Sequence, residues 1–206
     1  MHSTSTLPPV SAPPAATGTH SVWKTSIRFT IVTTILLGLG YPLLVTGIAG
    51  LLFPHKAGGS LIQLQDGTVI GSELLAQSFT SDRYFHPRPS VNNYDASNSG
   101  GSNLAQSSKA LVDRIQGSVD KLAKENPGKP VPIDLVTTSA SGLDPDITPE
   151  AASFQVPRVA KARGLSEDRV RELVQQNTNG RDLGLFGMPR VNLMTLNFAL
   201  DQLPPK

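Results

Sequence analysis

FTIVTTILLGLGYPLLVTGIAGLLF, residues 29–53, contains no Asp, Glu, Lys, Arg or His. At about 1.5 Å per residue, a helix of this length reaches about 37 Å, more than the roughly 30 Å hydrocarbon core of a bilayer. We therefore expect one membrane helix over residues 27–53. The competing reading is a cleaved signal peptide, which needs an apolar run of about 7–15 residues and a small-x-small cleavage site. This run is longer and leaves through bulky Leu51, Leu52 and Phe53, so an uncleaved anchor is favoured. Lys24 and Arg28 precede it, and His55 and Lys56 follow. Together with the short N-terminal segment, that asymmetry predicts a cytoplasmic N-terminus and an extracytoplasmic domain.

Within the span, Pro42 lacks an amide hydrogen and is expected to kink the helix. Thr33, Gly40 and Gly47 recur every seven residues, with Gly50 one turn further. In a regular helix this spacing keeps them on one face, where small residues let a partner helix approach closely. The plainer alternative is that glycine is common in membrane helices.

Composition narrows the remaining chemistry. The net charge is +2 with no cluster of four or more Lys/Arg, which argues against a nucleic-acid surface. The absence of cysteine removes disulfides, thiolate catalysis and Cys-ligated metals. His2, His20, His55 and His86 are widely spaced, with no zinc-binding pattern, so no metal site is expected. G-x-S-x-G, G-x-x-x-x-G-K-[ST] and G-x-G-x-x-G are also missing.

Residues 1–22, rich in Ser, Thr, Pro and Ala, read as a disordered tail, and residues 58–206 as one soluble domain. There, Asp66-Gly67 between apolar runs predicts a hairpin. Ser72 is expected to cap a short helix. Leu104, Ser108, Leu111, Ile115, Val119 and Leu122 follow a helical period ended by Asn126-Pro127-Gly128. Residues 133–138 read as a strand. Thr148-Pro149-Glu150 starts a helix expected to break near Pro157 and close at Gly164. Another helix opens at Ser166, and a last one spans residues 191–203. The fold class expected is α+β: a single N-terminal transmembrane helix, then one extracytoplasmic domain with a small sheet.

Three segments invite a functional reading. Asp144 and Asp146 form a possible carboxylate pair, although Asp-Pro and Ser-Gly are ordinary turn residues. Ser99-Gly100-Gly101-Ser102-Asn103 either exposes backbone amides to an anion, resembling the signature loop of ABC ATPases with Ser102 where that loop has Gln, or is a turn whose Ser102 or Asn103 caps the next helix. Tyr84, Phe85, His86 and Arg88, beside two prolines, have the composition of an interface hot spot. Tyr84 and Phe85 fit equally well as plugs of the domain's own core. The cluster Arg158, Lys161, Arg163 reads as a solvated helix face.

GSELLAQSF (71–79), RYFHPRPS (83–90), SGGSNL (99–104), PVPIDLVTTSASGLDPDITPEAA (130–152), FQVPRVAKARGL (154–165) and GMPRVNLMTLNFALD (187–201) follow the anchor in this order. Together they resemble the C subunits of the Kdp potassium-transporting P-type ATPases, over residues 41–203. The resemblance implies a non-catalytic accessory subunit in the bacterial inner (cytoplasmic) membrane. Its implied partners are a potassium-selective channel-like subunit, an ATP-hydrolysing P-type pump subunit and a possible small membrane subunit. ATP and potassium ion are then used by the complex, with no cofactor of this chain's own. Two roles are attached to the family: assembly from outside, and a catalytic chaperone that raises the pump subunit's ATP affinity through a ternary complex with ATP. The second would bring Ser99, Gly100, Gly101, Ser102, Asn103 and Gln155 to the nucleotide. An extracytoplasmic domain would be separated from that nucleotide by the bilayer.

Overall fold

A computed structural model describes residues 19–203. They divide into two compact units, the first ending at Ala57 and the second beginning at Gly58.

In the first unit, Val22–Leu52 is a helical rod of 31 residues. It comprises α1 (Thr19–Thr33), a π-helical stretch (Thr34–Gly40) and α2 (Tyr41–Leu52), and a short α3 (Pro54–Ala57) comes next. The helix begins earlier than expected, so residues 19–22 of the expected disordered tail are helical and the rest of that tail lies outside the described residues. Pro42 acts as anticipated in kind but not in form. Its ring would press on the carbonyl one turn back, and the helix responds by widening: the Tyr41 N–H donates to the Leu36 carbonyl, five residues earlier. The widened turn carries one extra residue, which rotates α2 by about 100° relative to α1.

In the second unit, β1 (Leu61–Gln63) and β2 (Val69–Ser72) form the expected antiparallel hairpin. At its turn the Asp66 carboxylate accepts the Thr68 N–H at 2.9 Å. The helix expected after Ser72 does not form. Ser72 Oγ accepts the Leu74 N–H, and the Ala76 N–H is drawn away to the Leu143 carbonyl, so the segment lies along the domain as irregular ribbon. A second antiparallel sheet places β5 (Arg190–Asn192) between β3 (Asp146–Ile147) and β4 (Thr178–Asn179).

The core gathers around α5 (Pro149–Arg163), whose Ala151, Ala152, Phe154, Val156, Val159 and Ala160 are buried. Thr148 caps it by accepting the Ala151 N–H, and Gly164 ends it at φ +67°. It runs unbroken through Pro157, contrary to expectation. The carbonyl that Pro157 cannot serve belongs to Ser153, which faces solvent, and buried residues on both sides hold the two halves to one core. α6 (Glu167–Gln176) adds Val170, Leu173 and Val174, and α7 (Leu193–Asp201) adds Leu193, Leu196 and Leu200. α7 starts later than the sequence suggests because Val191 is committed to β5, which makes Asn192 the cap. The expected strand at 133–138 is instead a 3-10 turn (Ile133–Leu135), fixed where the Asp134 carboxylate accepts the Thr148 N–H at 2.8 Å. α4 (Lys109–Leu122) has its periodic residues only half-buried and contributes none to the central core. The described residues therefore form an apolar N-terminal helix and an α+β domain with small sheets.

Candidate partner interface

The loop 81–90 pairs with no strand, yet most of its backbone from Ser81 to His86 is bonded. Asn197 on α7 accepts the Phe85 N–H at 2.9 Å and donates to the Phe85 carbonyl at 3.0 Å. Gln155 on α5 does the same for His86, at 2.8 and 3.0 Å. The two side-chain amides thus replace a neighbouring strand. Arg158 Nη1 donates to the carbonyls of Asp82 and Tyr84, both at 3.0 Å, and Arg163 Nε donates to that of Arg83 at 2.6 Å. These two arginines are not a solvated face: their side chains are 11% and 7% exposed, and only Lys161 of the trio points into water.

This clamp decides the roles of the hot-spot candidates. Phe85 is fully buried in the core, so that side chain is a plug and is removed from the exposed set. Tyr84 lies between the Phe79 ring (centroids 5.2 Å apart) and the Arg163 guanidinium (4.9 Å), and its hydroxyl donates to Asp201 at 3.0 Å. His86 Nε2 lies 3.1 Å from the Ser81 carbonyl and 3.4 Å from Arg158 Nη1. Burial first, and then the Arg158 charge, hold His86 below its ordinary pKa. Arg88 pairs with Asp144 at 3.1 Å. Asp146 meets Arg190 at 3.3 Å, so the two aspartates serve separate ion pairs. His86, Pro87, Pro89, Tyr94, Lys121 and Arg158 help line an open cleft of about 460 Å³.

In the glycine-rich segment one backbone amide is bonded within the domain. The Gly100 N–H donates to the Ser141 carbonyl at 2.9 Å, as does Ser99 Oγ at 3.1 Å. A Cβ on Gly101 would stand 3.0 Å from the Ala140 carbonyl oxygen, and one on Gly142 (φ +69°) would collide with Asn92. These glycines allow two chain segments to touch. α4 begins only at Lys109 with Ser108 as its N-cap residue, so neither Ser102 nor Asn103 caps it and no helix N-terminus stands at the segment. Gln155, buried and bonded to His86, is likewise committed within the fold.

In the helix, Gly40 closes the widened turn and Gly47 and Gly50 follow it, while Thr33 precedes it, so the seven-residue spacing no longer aligns Thr33 with them. Thr33 Oγ1 is bonded to the Phe29 carbonyl at 2.8 Å. Apart from the adjoining residues and the helix's own backbone, no atom among the described residues lies within 4 Å of a Cβ built on Gly47 or Gly50.

One exposed feature escaped the sequence reading. Between β4 and β5, residues 181–189 are all exposed, Leu183, Leu185, Phe186 and Met188 among them. Apolar residues read by default as core. The contrary signal is their crowding between Gly180, Gly184 and Gly187 in a stretch too short for an element.

Helix and domain together define a class: a small α+β domain carried on one membrane-length helix, with its distinctive polar side chains used for internal clamps. The family model described as "KdpC: K+-transporting ATPase, c chain" matches residues 23–202. Proteins named potassium-transporting ATPase KdpC subunit are similar throughout. That of Methylobacterium nodulans is 56% identical, covering 85% of this chain and 94% of its own. That of Bradyrhizobium diazoefficiens is 56% identical, covering 89% and 98%. That of Rhodopseudomonas palustris (strain BisB5) is 58% identical, covering 83% and 92%. The chain belongs to the KdpC family of potassium-transporting ATPase subunits.

Proposed function

We propose that the chain is the non-catalytic accessory subunit of an ATP-driven potassium uptake complex in the bacterial inner membrane. It crosses once, with its N-terminus in the cytoplasm and its domain outside. It binds a potassium-selective channel-like subunit and an ATP-hydrolysing pump subunit, and holds them together. Inside the membrane the contact is the face of Gly40, Gly47 and Gly50; outside, it is the loop of Tyr84, His86 and Arg88, whose His86 lines the cleft. The observation that carries this reading is that two of the groups a nucleotide contact would use, the Gly100 N–H and the Gln155 side-chain amide, are already bonded within the domain. Binding to other polypeptides needs no such free groups.

Topology tests it. The chain has no cysteine, so Ser11→Cys and Ser99→Cys each introduce a single thiol. Ser99 is exposed. In cells with a permeabilised outer membrane, an impermeant thiol reagent should label position 99 and not position 11. The reverse pattern would put the domain beside cytoplasmic ATP, overturn the assembly reading and favour the catalytic chaperone, which also predicts labelling of this chain by an ATP analogue.

A further inference from the structure

We propose that the β4–β5 tip, residues 181–189, dips into the head-group region of the bilayer in which the chain is anchored. Single exposed apolar residues are ordinary on any protein surface. Here Leu183, Leu185, Phe186 and Met188, at 93%, 69%, 61% and 69% exposure, fall within six consecutive positions. Such crowding marks a surface that meets something apolar.

The tip is also prepared to leave water. The Asp182 and Phe186 amides donate to each other's carbonyls at 2.9 Å, the Gly184 N–H to Arg181 at 3.0 Å, and the Leu185 N–H to Asp182 at 3.1 Å. Backbone polar groups must find such internal partners before a loop can enter lipid. Leu183 holds φ +54°, a conformation an L-residue rarely adopts, and it is the most exposed of the four. At the base stands exposed Arg181, a side chain suited to lipid phosphates, while Arg190 is engaged by Asp146 at 3.3 Å and Asp182 at 3.6 Å.

The bilayer is the apolar medium this chain carries with it. Only residues 53–60 separate α2 from β1, a reach of at most about 28 Å. The inference rests on the membrane anchoring proposed above, so its test reads the anchor separately. Full-length chain bearing one thiol at a time, from Leu183→Cys, Leu36→Cys or Lys109→Cys, is labelled with an environment-sensitive fluorophore. Each is reconstituted without other subunits into vesicles containing anionic phospholipid and a lipid-borne quencher.

Position 36 reports the anchor. Position 109 is an exposed reference. Position 183 should be quenched at least about twofold more than position 109, and Phe186→Ser should lower that quenching. Quenching at 36 without quenching at 183 overturns the tip inference and leaves the anchor standing. If position 183 is then shielded only when partner subunits are added, the tip docks on protein instead. Lack of quenching at 36 brings down the anchoring and the inference together.

Discussion

Gln155 serves both the N–H and the C=O of His86 from a site 2% exposed to solvent, and its Oε1 also accepts from Arg158 at 2.6 Å. Gln155→Ala takes this amide from three part-buried partners and should cost about 2–4 kcal/mol, read as a lower urea midpoint of the chain in detergent. A nucleotide contact would instead change labelling by an ATP analogue with no loss of stability. His86 supplies a pH dependence. Its pKa is depressed in the folded chain, so below the ordinary value of about 6.5 the unfolded state takes up the proton first and stability falls with pH. Asp146 acts in the opposite sense at lower pH, because burial raises its pKa and the folded form is the better proton acceptor. The urea midpoint should therefore drop between pH 7.5 and 5.5, and His86→Asn should flatten that slope. An unchanged slope in the variant would assign the drop to other groups.

Among the elements, the membrane helix and α5 treat their prolines differently. Pro157 sits where its orphan carbonyl reaches water, and α5 continues unbroken. Pro42 sits in a segment meant for lipid, where no water can serve a freed carbonyl, and the helix widens into a π turn. That turn reshapes the predicted packing face. Gly40→Leu with Gly47→Leu should separate this chain from its partners during purification of the complex, while Thr33→Leu, about 100° away, should leave the complex intact. Loss of the complex with Thr33→Leu, or its survival with both leucines, would show that the face lies elsewhere. Helix caps were legible in the sequence: Thr148, Gly164 and Ser166 all act as caps at the positions expected, because capping depends on neighbours only a few residues away. The failed helix after Ser72 and the missing strand at 133–138 have a common cause. Their polar groups are taken by Leu143 and Thr148, partners remote in sequence.

For the whole molecule, every residue of the central core belongs to the unit that begins at Gly58. A fragment of residues 58–206 should thus unfold cooperatively, with a urea midpoint close to that of the full chain in detergent. A non-cooperative transition would mean that the helix contributes to the domain's stability.

The membrane-length apolar run, the α+β character, the family resemblance, both ends of α5 and the start of α6 were legible in the sequence. Each rests on composition, period or order along the chain. Only the tertiary structure decided what the motif residues do. Arg158 and Arg163 became clamps, Phe85 a core plug, and Gly101 and Gly142 points of close approach, while Leu183 to Met188 were left in the open. Those outcomes depend on which distant backbone groups arrive beside each side chain. A buried N–H or carbonyl must be satisfied by whatever stands next to it, and local sequence carries no record of that neighbour.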